Sequence, residues 1–289
     1  MSLGNRILCF LIYVVSLLPF WVLYLISDIL FLVLYYIIGY RKKVVYNNLN
    51  AAFPQKSAHE KKQIARKFYV FLSDMIVEVI KMRSITADEV EKRIHIRNKE
   101  EIYRHLKEGR PIIGATGHYG NWELGIHRLS LMMQDPILII YKPLNNKGFG
   151  KVFNHIRSRF NAKMVPMKQA LRQIITNRNV PHISVFLSDQ TPARSESDYF
   201  APFLNQDTLM FLGMEKIAKN TDFPIVYCHI NRIRRGYYEC TFSTLFEHPK
   251  TSGDYEITLA YKSYLEQIIS KKPELWLWSH RRWKHKPIP

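Results

Sequence analysis

Between Ile7 and Tyr40 the chain is apolar apart from one charged residue, Asp28. The uncharged stretch Ile7 to Ser27 alone is long enough to cross a hydrocarbon core of about 30 Å. As one straight helix, Ile7 to Tyr40 would measure about 51 Å, more than the core needs, and Pro19 is placed to break it. The pattern predicts either a single span or a helical hairpin hinged near Pro19. Arg6 lies at one end and Arg41, Lys42 and Lys43 at the other, a distribution that would hold both ends of a hairpin on the cytoplasmic face. A cleaved signal peptide is the competing reading, but the run is too long and no small-residue cleavage pattern follows before Tyr40.

Beyond Lys43 the period changes to helical. Ser57-Ala58-His59-Glu60 reads as a capping box, and the apolar spacing through Phe68, Leu72, Met75, Val79 and Met82 predicts a helix over 58–82. From Pro111 short apolar runs predict six strands: Pro111–Gly117, Pro136–Tyr141, Ala162–Met167, His182–Ser188, Pro224–Ile230 and Tyr237–Thr244. Helical patterns occupy 121–134, 147–161, 168–178, 208–220 and 254–271. This alternation predicts an α/β fold, a mostly parallel sheet flanked by helices, with functional residues beyond the carboxyl ends of the strands. No repeat, low-complexity run or Gly/Ser linker interrupts it, so the expected organisation is an N-terminal membrane anchor over 1–43 and one domain over 44–289.

Charge adds a partner class to this outline. Lys and Arg total 42 against 24 Asp and Glu, a formal net charge of +18, which points to nucleic acid, an acidic membrane surface, an acidic protein or a phosphorylated substrate. Between Pro136 and Ser188 there is no acid, while nine Lys and Arg residues run from Lys142 to Arg178. Arg281, Arg282, Lys284 and Lys286 form a second basic block. The apolar N-terminus and the lack of a groove-reading motif argue against nucleic acid. Cys9, Cys228 and Cys240 have no metal-type spacing and read as packing residues of a reduced compartment.

The stretch from Gly114 to Gly125, Gly-Ala-Thr-Gly-His-Tyr-Gly-Asn-Trp-Glu-Leu-Gly, runs from a strand end into a helix start. On a continuous helix His118 and Glu123 would lie about 140° apart, so they meet only if the histidine sits in the loop. Gly117 and Gly120 permit that turn, and Asn121 is a suitable N-cap, which puts Glu123 in the first helical turn reaching back to the imidazole. Two readings follow: a general base held by a carboxylate, or a structural histidine capping a helix. No nucleophile elbow, zinc set or phosphate-cradling glycine loop is present, so the chemistry calls for no acyl-enzyme, metal or cofactor. A histidine that deprotonates the substrate's own hydroxyl suits direct transfer.

His118 and Glu123 within His-Tyr-Gly-Asn-Trp-Glu resemble the signature of the lauroyl/myristoyl-type late acyltransferases of lipid A assembly, in the glycerolipid acyltransferase superfamily. Tyr141-Lys142-Pro143 with Asn145 and Asn146, and Arg157 about a helix length later, is similar to a further block of that family. So are Asp189-Gln190 after an apolar strand and the closing Pro273-Glu274-Leu275-Trp276-Leu277-Trp278-Ser279-His280-Arg281-Arg282-Trp283. Lys147 departs from the family, where a proline is usual, and 207–213 matches it loosely.

The resemblance implies a glycerolipid-acyltransferase-like fold in residues 44–289. It implies transfer of a fatty acyl group from an acyl carrier protein thioester to a hydroxyl of a phosphorylated glycolipid, at the cytoplasmic side of the inner membrane and against an anionic bilayer. His118 and Glu123 are then the catalytic pair. Asn121, Tyr141, Lys142, Asn146, Arg157, Asp189, Gln190 and Arg281 are the substrate-binding candidates, with Arg157 on phosphate or on the carrier's acidic surface. A lysophospholipid acyltransferase is the alternative enzyme, and a polybasic membrane adaptor the noncatalytic one.

Overall fold

The computed structural model describes residues 3–134, 137–144 and 146–287. Pro19 breaks the apolar segment as expected: α1 spans Leu3–Leu17 and α2 Phe20–Leu32, continued by a π-helical turn at Val33–Ile37. Pro19 sits in extended backbone as the N-cap of α2, where its missing N–H costs nothing. Among the described residues, Phe20–Ile37 is the one helix long and apolar enough to cross a membrane. The Arg6–Leu17 part of α1 is shorter. After α3 (Lys42–Ala52), α4 runs over Ala58–Lys81 with the capping box formed in both directions between Ser57 and Glu60. Phe31 and Tyr35 of the apolar segment join the same buried cluster as Leu72 and Met75 of α4.

All six predicted strands form, and the described residues contain three more. The chain continues through α5 (Ala87–Arg93), β1 (Ile94–Ile96), α6 (Glu100–Lys107), β2 (Ile112–Thr116), α7 (Trp122–Met132), β3 (Ile137–Tyr141) and α8 (Lys147–Arg157). It then runs through β4 (Ala162–Pro166), α9 (Ala170–Thr176), β5 (Ile183–Leu187), β6 (Phe200–Phe203), β7 (Gln206–Leu209), α10 (Gly213–Thr221), β8 (Ile225–Arg234), β9 (Tyr237–Phe246) and α11 (Glu256–Lys271). Seven strands make one sheet in the order β1-β9-β8-β2-β5-β3-β4, parallel throughout except for the β8–β9 hairpin. Central strand β2 is buried along its whole length, as parallel strands covered on both faces are. Pro136, the expected start of the second strand, lies outside the described residues.

One predicted helix starts late. Residues 208 and 209 belong to β7, which pairs antiparallel with β6, and α10 begins only at Gly213. The two-residue turn between these strands, Leu204 and Asn205, has positive φ at both positions, the geometry of a tight primed hairpin turn. Burial of Thr208 and Leu209 against the main body then outweighs the local helical spacing.

β2 and β5 are adjacent and parallel, with Thr116 opposite Leu187. Whatever follows each of them therefore emerges side by side at the carboxyl edge of the sheet.

Candidate active site

The residues that follow β2 and β5 are His118 and Asp189. The Asp189 carboxylate is buried and accepts three hydrogen bonds: Oδ1 from His118 Nδ1 at 2.6 Å, and Oδ2 from the His118 backbone N–H at 2.8 Å and from Trp276 Nε1 at 2.9 Å. Burial alone would raise its pKa, but the imidazole and these three donors outweigh burial and hold the carboxyl at about 2. An ionised Asp189 fixes Nδ1 as the protonated ring nitrogen, which leaves the Nε2 lone pair free to accept. Gln190 occupies that direction, its amide nitrogen donating to Nε2 at 3.0 Å. The Trp122 ring packs edge-on against the imidazole, centroid to centroid at 4.9 Å.

The loop that carries His118 is held from both sides. Gly120 N–H donates to the Leu275 carbonyl at 3.0 Å, Leu277 N–H donates to the His118 carbonyl at 3.1 Å, and Tyr119 forms an isolated antiparallel bridge with Trp276. Gly120 is the residue that makes this loop possible. Its φ is +63°, and a Cβ there would lie 2.1 Å from the Ile230 carbonyl oxygen. Asn121 is the N-cap expected for α7, its Oδ1 accepting from Leu124 N–H at 2.9 Å. Its amide nitrogen donates to Glu78 Oε2 at 2.6 Å, a partner on α4 that no sequence spacing announces.

Glu123 does not reach back to the imidazole. Its carboxylate is paired with Arg157, whose Nε donates to Oε2 at 2.7 Å and whose Nη2 donates to Oε1, and Trp122 Nε1 donates to the same Oε1 at 3.0 Å. The reason is topological: α7 and α8 pack side by side, so the first turn of α7 faces the last turn of α8, while the imidazole already faces the β5 end. Burial would raise the Glu123 pKa, but the guanidinium outweighs it and holds the carboxyl low. Arg157 is correspondingly no open surface cation, since its side chain is 19% exposed.

The other candidates spread along the same edge. Tyr141 ends β3, the strand beside β5, and Lys142 is exposed and lies 3.8 Å from Glu196. Asn146 caps α8, its Oδ1 accepting from Phe149 N–H at 3.1 Å. Asn145 lies outside the described residues. Arg281 is exposed, and its carbonyl accepts from Thr191 Oγ1 at 3.1 Å. Its neighbour Arg282 is buried and donates to the Leu209 carbonyl at 2.9 Å, a structural role within the basic block. Sequence reasoning missed Trp122 as the wall of the imidazole and Trp276 as the third donor to Asp189. The Trp-rich closing segment was the signal for the latter.

A family model described as bacterial lipid A biosynthesis acyltransferase matches residues 4–285. The chain belongs to that family. It is therefore an O-acyltransferase of lipid A assembly. It is similar to the lipid A biosynthesis palmitoleoyltransferase of Escherichia coli (strain K12), 25% identical over 252 residues, which cover 86% of this chain and 80% of that protein. It is also similar to the lipid A biosynthesis lauroyltransferase of the same organism, 22% identical over 280 residues, 96% of this chain and 90% of that one. In this acyltransferase the His-x-x-x-x-Glu spacing thus puts its two residues in two adjoining pairs, His118 with Asp189 and Glu123 with Arg157.

Proposed function

We propose that the protein is a membrane-bound enzyme that moves a fatty acyl group from an acyl carrier protein thioester to a hydroxyl of a phosphorylated glycolipid, a lipid A precursor, on the cytoplasmic side of the inner membrane. The observation that carries the reading is the His118–Asp189 pair, with Nδ1 against the carboxylate and Nε2 against the Gln190 amide.

In the proposed reaction an acceptor hydroxyl displaces the Gln190 amide from Nε2 and gives its proton to the imidazole as its oxygen attacks the thioester carbonyl. Asp189 stabilises the imidazolium that results. Collapse of the tetrahedral intermediate breaks the carbon–sulfur bond, and the imidazolium returns the proton to the departing thiolate. The products are an ester and a free carrier thiol, with no protein nucleophile involved. Glu123 acts through Arg157: by neutralising part of a half-buried guanidinium it fixes the remaining donors of that fork beside the reacting groups. The +18 charge and the Phe20–Ile37 helix support a site that works at an anionic bilayer on two anionic substrates.

The test is transfer of label from acyl carrier protein thioesters to a phosphorylated glycolipid and, in parallel, to a lysophospholipid, with wild type and His118→Ala. Transfer to the glycolipid that disappears in His118→Ala is the expected result. Label moving only to the lysophospholipid would keep the base and replace the acceptor. Wild-type turnover in His118→Ala would remove the base.

A further inference from the structure

A groove of about 460 Å³ lies between the end of the apolar helix and Gln190, the residue hydrogen-bonded to His118. Its outer part is lined by Leu34, Tyr40 and Arg41, its walls by Leu72 and Ile76 of α4 and by Leu277. Gln190, whose amide touches His118 Nε2, lines it too. We propose that this groove seats an acyl chain of the acceptor, a bilayer lipid that carries phosphate, and that Arg41 binds the phosphate at its mouth. The inference rests on the reading of His118 as the base and adds to it the route by which the acceptor arrives.

Three features select this occupant. The groove is lined at Leu34 by Phe20–Ile37, a helix apolar enough to cross a bilayer, so a molecule entering it comes from lipid, whereas a carrier-borne donor comes from water. The walls are aliphatic and the mouth is cationic, which matches an amphiphile with an anionic head. Arg41 is also built into place. It holds a left-handed backbone, φ +50°, which a non-glycine residue adopts at a cost. The preceding carbonyl, that of Tyr40, accepts from Tyr69 Oη at 2.5 Å, and the Arg41 guanidinium donates to the Ser279 carbonyl at 3.0 Å. Asn48 ties the same two segments together through the Trp278 and His280 carbonyls, each at 2.9 Å. His280, also in the groove, adds no charge near neutrality, because burial pushes its imidazole down to about 4. Arg41 is thus the fixed cation of this mouth.

Two measurements on the full chain in mixed micelles test the proposal. In the first, Ile76→Trp fills the groove and is expected to raise the acceptor Michaelis constant about tenfold or more, with the donor constant unmoved. Arg41→Gln is expected to raise it for the phosphorylated acceptor and not for the same lipid after phosphatase treatment. Wild-type transfer accompanied by unchanged acceptor constants in both variants would overturn the groove and leave the base standing.

The second measurement needs no turnover. A phosphatidic acid with a diazirine at mid-chain is photolysed on the wild-type protein, and labelled peptides are mapped. Labelling at 72–76 and 277–280 is expected, and labelling confined to the outer face of α1 and α2 would overturn the proposal even if transfer were observed.

Discussion

Replacing Asp189 by asparagine tests the core of the site without changing its shape. The carboxylate satisfies three donors, two of them converging on Oδ2. An amide has one acceptor oxygen, and it stays where two N–H groups converge, because orphaning both would cost about 1–3 kcal/mol each. Its NH2 group then faces His118 Nδ1, which can meet it only as an acceptor. The ring proton moves to Nε2, and the lone pair that the proposed base would offer the acceptor hydroxyl is lost from that nitrogen. Inverting the tautomer in this way costs roughly 10⁴ in kcat in serine hydrolases, about 5 kcal/mol of transition-state stabilisation. Single-turnover transfer from a labelled carrier thioester should therefore slow by about 10⁴ in Asp189→Asn, with both Michaelis constants close to wild type. A fall smaller than tenfold would refute the assignment.

The same variant carries a signature in stability. The pKa of Asp189 is depressed from 3.8 to about 2, so its contribution is complete above 3.8 and is lost as pH falls toward 2. Wild-type Tm should drop across that window, and the Tm of Asp189→Asn should drop less.

Other parts of the site make separate predictions. Glu123→Gln leaves the Arg157 guanidinium half-buried without a counter-charge and should cost about 3–5 kcal/mol in urea unfolding, and adding Arg157→Met should recover part of that loss. Gly120→Ala forces a Cβ against the Ile230 carbonyl and should abolish transfer and lower the yield of folded protein. Gly150→Ala, whose nearest neighbour would be Leu144 Cβ at 3.7 Å, should leave Tm unchanged or raised. Asn121→Asp sets a second carboxylate against Glu78 and should lose about 1–3 kcal/mol of stability, which adding Glu78→Gln, whose amide can donate to that carboxylate, should offset. The double exchange restores donor to acceptor and should regain at least half, measured by Tm and transfer rate.

How legible these features were depended on whether they were encoded locally. Pro19, the Ser57–Glu60 capping box, the Asn121 cap and the six strands are written in neighbouring residues, and the fold follows from them by the rules of parallel sheets. β1 is three residues long, and α5 and α6 have only seven and eight, too short for a period to show. The α10 start was obscured because β6 and β7 draw their stability from burial across the chain. The His118 loop was legible from Gly117, Gly120 and Asn121, but its partner was not. Glu123 was near in sequence, whereas Asp189 is near only because β2 and β5 are neighbours in the sheet, an adjacency no local pattern reveals. The same distinction separates Arg157, read through the resemblance as a contact for phosphate or the carrier's acidic surface, from the guanidinium that α8 lays against Glu123.

The two buried acids of α4 show why the apolar segment and the His118 loop belong to one mechanical unit. Asp74 is compensated by charge: Arg232 donates to it at 2.5 Å, Arg235 Nη2 lies 2.6 Å from it, and Ser27 of α2 donates at 2.7 Å. Glu78, one turn further on, is met by neutral donors from three elements, Tyr24 of α2 at 2.9 Å, Tyr238 of β9 at 2.7 Å and Asn121 at 2.6 Å. Burial raises the Glu78 pKa, as it must where no cation adjoins the group. A carboxylate kept in that setting is costly compared with an apolar residue of the same size, and what it secures is a fixed meeting point. One oxygen holds the apolar helix, and the other holds the cap of the helix that follows His118. A shift of α2 against α4 therefore reaches Asn121, the cap three residues beyond His118, within two hydrogen bonds, Tyr24 to Glu78 and Glu78 to Asn121. The contacts that hold the start of the helix after His118 thus cross residue 43, where the composition of the chain changes.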